Sequence, residues 1–171
     1  MEEFNEIELK IKEILERIAK EDSETGGIAT TEWTRMIKSE ICKLGKERKY
    51  GVCSSGYDGA DDGEWLFDLI WCYSEGDPPF FLEMPLGLEC EWSFDDHKIW
   101  WDFEKLLIAR TKYRVFIFNK NTSKEVENLM IQFEKAINKF RGTQSGDRYL
   151  LAGYSKKDKK FLIKNWIAHA G

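Results

Sequence analysis

"PLGLECEW", residues 85–92, has the alternation of a β-strand, yet it carries two glutamates among apolar neighbours. Side chains alternate across a strand. Leu86, Leu88, Cys90 and Trp92 therefore share one face, and Glu89 and Glu91 share the other. Two readings are open. The acidic face meets water, as is common in antiparallel sheets, or the acids do chemistry.

The strands on either side bear on the choice. Upstream, "EWLFDLIWCY" (64–73) alternates Trp65, Phe67, Leu69, Trp71 and Tyr73 with Leu66, Asp68, Ile70 and Cys72. That pattern predicts a strand with Asp68 as the only charge in its middle. Leu66 and Ile70 flank Asp68 on its own face, so an unpartnered carboxylate there would be costly. "KYGVCSS" (49–55) predicts a shorter strand before it, "SGYDGADDG" (55–63) a turn, and "SEGDPPFF" (74–81) a loop. Downstream, "DDHKIWWDFEKLLIAR" (95–110) predicts a helix capped by Asp95 or Asp96, and "KYRVFIFN" (112–119) a strand.

The remaining segments complete the order. "EEFNEIELKIKEILERIAKE" (2–21) places Phe4, Ile7, Ile11, Ile14 and Ile18 at helical spacing. Four i,i+4 acid–base pairs support it: Glu6–Lys10, Glu8–Lys12, Glu13–Arg17 and Glu16–Lys20. This helix packs on the core or against a partner. "DSETGGIATT" (22–31) predicts a break. "TTEWTRMIKSEICKLG" (30–45) predicts a second helix, with Thr30 or Thr31 as its cap and Gly45 as its stop. Its apolar stripe of Trp33, Met36, Ile37, Ile41 and Leu44 also holds Glu40, an acid out of place unless something pairs with it. "TSKEVENLMIQFEKAINKF" (122–140) is a capped helix with Val126, Leu129, Met130, Phe133 and Ile137 on its apolar face. "GDRYLLAGYS" and "KKFLIKNWIA" form a hairpin around "KKDK". The predicted order is α-α-β-β-β-α-β-α-β-β. The fold class is α/β, a mixed central sheet with helices on its faces.

Bulk properties set limits. A chain of 171 residues is one domain by size and buries roughly 70% of its unfolded surface. The net charge of −5 excludes a global positive field, so nucleic-acid binding would need a local basic patch. "KERK" (46–49) and "KKDKK" (156–160) are available as phosphate contacts, although such runs are usually solvated charge. Trp100 and Trp101 read as core and rim. The cysteines, Cys42, Cys53, Cys72 and Cys90, form no C-x-x-C pair, and the two histidines, His97 and His169, have no ligand spacing. Free thiols in a reducing, cytoplasmic setting are expected rather than a zinc site. There is no apolar leader at the N-terminus and no run long enough to span a bilayer.

The charges in apolar settings are Glu40, Asp68, Glu89 and Glu91. Neighbouring strands bring Asp68 and Glu89 together in a suitable register. Two close carboxylates in a partly dry site either raise a pKa or hold a cation between them. Mg²⁺ takes such oxygen ligands, and the backbone carbonyl of Cys90 offers another.

This pattern resembles the PD-(D/E)XK nuclease superfamily, the restriction-endonuclease-like fold, over residues 30–120. Residues 1–22 would then be a flanking helix and 121–171 an appended helix and hairpin. The resemblance implies an α-β-β-β-α-β core, with an acid at Asp68, an acid-x-lysine at Glu89-x-91, and a helix acid at Glu40. Position 91 departs from it, being Glu where lysine is expected. Lys105 in "DFEKLL" is the candidate for a relocated lysine, with Lys98 in reserve. The implied activity is Mg²⁺- or Mn²⁺-dependent hydrolysis of phosphodiesters, on DNA. Asp68, Glu89 and the Cys90 carbonyl would hold the metal. Lys105 would steady developing charge or orient water. Glu91 would be a further ligand or general base, and Glu40 would serve a second metal or orient a water. The alternative is a nuclease-like module that has lost catalysis and binds a protein partner or nucleic acid, with the N-terminal helix as a surface for a homodimer or another protein.

Overall fold

The computed structural model describes residues 4–25, 29–55 and 59–169. Its elements follow the predicted order: α1 (Glu6–Thr25), α2 (Thr30–Glu47), β1 (Gly51–Ser54), β2 (Leu69–Glu75), β3 (Phe80–Glu91), α3 (Asp96–Ile108), β4 (Tyr113–Lys120), α4 (Ser123–Lys139), β5 (Arg148–Ser155) and β6 (Lys160–Ile167). The strands form one six-stranded sheet in sequence order, β1-β2-β3-β4-β5-β6. β1, β2 and β3 are an antiparallel meander; β3, β4 and β5 run parallel; β6 returns antiparallel. The protein is therefore α/β with a mixed sheet.

Strand alternation divides the core in two. Val115, Ile117, Leu150 and Ala152 pack with Ile11, Leu15, Ile37 and Ile41 of α1 and α2. Phe116, Phe118, Tyr149 and Leu151 pack on the opposite face with Phe103, Leu106, Met130 and Phe133 of α3 and α4. Two successive crossovers that step the same way along a sheet place both helices on one face, and α3 and α4 accordingly share a side.

Several local expectations are corrected. The strand predicted from residue 64 begins only at Leu69, so Asp68 stands just before β2 rather than in its middle. Leu66 takes a positive φ of 66°, and the Phe67 amide donates to the Trp65 carbonyl at 2.8 Å across it. This tight γ-turn breaks the alternation, burying Phe67 and exposing Trp65 and Leu66. The predicted 74–81 loop is mostly hairpin, because β3 starts at Phe80 and pairs with the end of β2. Gly45 does not stop α2, which runs on to Glu47. A Cβ there would lie 2.5 Å from Trp71 Nε1, so the glycine admits the indole, whose N–H donates to the Ile41 carbonyl at 3.2 Å. Ala29, not a threonine, is the N-cap of α2, and α1 continues to Thr25. The rest of the predicted 22–31 break and part of the 55–63 turn lie outside the described residues.

Of the two roles expected for the N-terminal helix, packing on the core is the one its buried residues take up. Ile7, Ile11, Leu15 and Ile18 are buried against α2 and the sheet, so its apolar stripe is used within the chain. Its ion pairs differ as well: Lys12–Glu16, Arg17–Glu21 and Lys20–Glu24, with Glu8 turned inward to Arg148. Among the described residues no helix is long and apolar enough to cross a membrane, and all four cysteines are free.

Candidate functional site: a buried carboxylate cluster under α3

The site lies where the sheet changes from antiparallel to parallel pairing, at the carboxyl end of β3. The antiparallel register pairs Leu69 with Leu88, and one further step sets Asp68 across from Glu89. Directly opposed residues point to the same face. Here that is the face of α3, as the partnering of Glu89 with Phe116 in β4 also shows.

Glu89 is only 2% exposed, which rules out a wet face for this acid. The Lys105 ammonium reaches down from α3 and forms an ion pair with Glu89 Oε1. Oε1 is buried, and this ammonium is the partner that meets it. Lys105 Nζ also lies 3.3 Å from Asp102 Oδ1, one helical turn earlier. Asp68 Oδ2 accepts the Cys90 amide at 2.8 Å. The N–H and C=O of one strand residue lie on the same edge, so the Cys90 carbonyl also faces the Asp68 side.

Burial pushes the Glu89 carboxyl up to about 8; Asp68 and Asp102 add to the rise, while Lys105 opposes it. Burial also raises Asp68, against the Cys90 amide that favours its ionised form. For Lys105, burial alone would disfavour the ammonium, but Glu89 and Asp102 outweigh it and hold the group charged. Two like-charged groups in a dry site, with a cation alongside, are the conditions that shift carboxylates at functional sites.

A second lysine borders the cluster. Lys38 of α2 is 4% exposed. It reaches Glu64 Oε1 at 2.5 Å and Ser55 Oγ at 3.3 Å, and its charge is felt at Asp68. Asp102, Lys38 and Glu64 were not singled out from sequence. Asp102 was within reach of helical spacing, since it sits three residues before Lys105. The Lys38–Glu64 contact spans 26 residues and left no local signal.

Two predicted site residues stand apart. Glu40 is a correction: it binds Arg17 at 2.6 Å and Lys43 at 2.8 Å on the α1–α2 surface. It lies two residues beyond Lys38, about 200° around the helix, so it faces α1 rather than the cluster. Glu91 is half-buried and accepts the Ser93 amide at 2.6 Å, an arrangement that closes the end of β3. Lys98 is exposed.

The donor set is all oxygen, from carboxylates and a strand carbonyl, which suits a hard divalent cation. Glu89 Oε1, the buried oxygen such a cation would take, is met here by the Lys105 ammonium alone and by no second aligned donor. Among the described residues no three His, Cys, Asp or Glu side chains are grouped as ready ligands. Comparison with family models, curated proteins and solved structures returned no match.

Proposed function

We propose that the protein is a Mg²⁺- or Mn²⁺-dependent nuclease of the PD-(D/E)XK kind, hydrolysing phosphodiester bonds in DNA. The observation that carries this reading is the meeting of Lys105 with Glu89 beside Asp68. That trio has the chemical content of an acid, acid, lysine site, with the lysine supplied by the helix after the strand. The run α2-β1-β2-β3-α3-β4, with three antiparallel strands and a parallel fourth, supports a restriction-endonuclease-like core.

In this reading Asp68, Glu89 and the Cys90 carbonyl hold the cation. Asp102 keeps Lys105 charged and in place. A bound divalent ion supplies Lewis acidity toward the phosphate and makes water easier to deprotonate. Lys105 lies next to that position, ready to hold the extra negative charge that builds on the phosphate during attack. Glu89 must give up its proton to serve as a ligand, so metal uptake is coupled to proton release.

The test is direct. Purified protein with Mg²⁺ or Mn²⁺ is incubated with single- and double-stranded DNA and RNA. Cleavage of DNA that is lost in Asp68→Asn supports the proposal; intact substrates under all conditions sink it.

The ammonium already against Glu89 favours a second reading, a module that binds a protein or nucleic acid without cutting. Lys105 then neutralises the cluster permanently, and neither chelator nor Mn²⁺ alters binding or melting temperature.

A further inference from the structure

The γ-turn at Leu66 does more than shorten a strand. A leucine at φ 66° is an uncommon backbone state. Its effect is to turn Trp65 and Leu66 outward, next to the hairpin that carries Phe81. Trp65 and Phe81 meet edge to face, centroids 5.4 Å apart, and remain 48% and 49% exposed. Across from them α3 presents Trp101, Lys105 and Ile108, spaced i, i+4 and i+7 along one stripe. Ile108 is 70% exposed. Between these walls runs a groove of about 350 Å³, lined by Trp65, Leu66, Phe81, Ile108, Lys105 and Arg110, with Phe67 in its floor.

Two features identify its occupant. The first is charge. The chain has 31 acids against 26 basic residues, yet among the described residues this groove is lined by two cations and no carboxylate. It fits a ligand that joins a flat apolar body to an anion. The second is Lys105, which belongs to both the groove and the carboxylate cluster. Its ammonium lies 6.0 Å from the Phe67 ring centroid and also pairs with Glu89. Whatever fills the groove therefore ends at the cluster.

We infer that this groove takes an unpaired nucleobase of a DNA strand whose phosphate lies at the Lys105–Glu89 cluster. The inference rests on the nuclease reading for its choice of phosphate. A base buried in a paired duplex cannot offer its face to Trp65 and Phe81, whereas an unstacked base can. Stacking on aromatic side chains is tolerant of sequence and strong enough to set strand preference. The groove thus makes single-stranded or frayed DNA the preferred substrate.

The experiment uses the full chain in EDTA, so that no cleavage occurs, and fluorescence anisotropy. The probes are a labelled DNA single strand, its blunt duplex, and the same strand with abasic sites. The intact strand is expected to bind roughly tenfold tighter than either of the others, about 1.4 kcal/mol. Trp65→Ala is expected to remove that advantage and Trp65→Phe to restore it. The abasic strand should not distinguish Trp65→Ala from wild type. Circular dichroism checks that the half-exposed variant is folded, and Phe81→Ala provides an independent second variant. Equal affinity for all three probes overturns the inference. So does tighter capture of the matching RNA, or a wild-type dimer that Trp65→Ala dissociates, which would make a second copy the occupant. Capture without cleavage in Mg²⁺ leaves the groove standing and removes the nuclease. Cleavage indifferent to pairing and to Trp65 does the reverse.

Discussion

Glu8 and Glu89 are both buried carboxylates, 1% and 2% exposed, and each meets a cation from a distant element. Their surroundings differ in kind. Glu8 receives two aligned hydrogen bonds from Arg148, at 2.7 and 2.6 Å, and a third at 2.9 Å from the Asn5 amide. A planar guanidinium matches a carboxylate in this two-point way. Glu89 meets one ammonium through a single oxygen, without the two-point match of a guanidinium, and has Asp68 and Asp102 nearby. The first arrangement is complete and fastens α1 to β5. The second is held at one point, among other acids, which leaves a cation a place to take over from the ammonium. On the nuclease reading, a buried acid marks a functional site by how few points hold it, more than by burial itself.

The comparison breaks first at the cluster. Asp68→Asn or Glu89→Gln is expected to lower DNA cleavage at least a thousandfold, about 4 kcal/mol of transition-state stabilisation, with the fold intact. Lys105→Ala should fall by roughly a hundredfold or more in kcat, while Lys98→Ala changes little. Rates from single-turnover assays check both. A Lys105→Ala protein as active as wild type would remove the relocated lysine from the account.

At Glu8 the expected loss is in stability rather than rate. Glu8→Ala removes two charge-assisted bonds and the amide contact. The cost is about 3 kcal/mol, the low end for a broken buried pair, which lowers Tm by roughly 6–12 °C for a chain this size. Residual activity per folded molecule should match wild type. If Glu8→Ala melts like the parent, full satisfaction is not what distinguishes the two acids.

The cluster also responds to pH. In the metal-free fold Glu89 keeps its proton up to about 8, against an ordinary value of 4.5. Between those values the native state binds the extra proton, so stability falls as pH rises through the window. Glu89→Gln should flatten that decline. Mn²⁺ competes with the same proton, so its thermal shift should be larger at pH 8.5 than at pH 6.5. Differential scanning fluorimetry reads both. A Mn²⁺ shift that shrinks with pH would place the metal elsewhere.

How much of this the sequence carried depends on the range of each contact. Element order follows from local pattern: the face of α4 is legible because every third or fourth residue is apolar, and β4 reads as a continuous apolar run buried on both faces. Asp68 and Glu89 stand out because each interrupts such a pattern. What escaped is either long-range or a local exception to alternation. Lys38 meets Glu64 only because α2 crosses the start of the sheet. The γ-turn at Leu66 overrides a strong strand pattern over 64–68, since a leucine at positive φ has no sequence signal. Glu40 shows the converse error. Its place in an apolar stripe suggested chemistry, but Arg17 of α1 was already there to receive it.

Glu40 therefore supplies the smallest expected effect and the sharpest control. Its carboxylate is held below the ordinary value, chiefly by its hydrogen bond from Lys43, despite partial burial and with help from Arg17. A lowered carboxyl stabilises the fold above its ordinary pKa and loses that contribution as pH falls below it. Surface pairs of this kind are worth about 0–1 kcal/mol. Glu40→Gln should thus shift the denaturation midpoint slightly at pH 7, lose even that difference under acid conditions, and leave cleavage within twofold. A tenfold loss of cleavage with unchanged stability would tie the α1–α2 corner to the cluster. In that case acids held at several points and acids held at one could no longer be told apart by their hydrogen bonds alone.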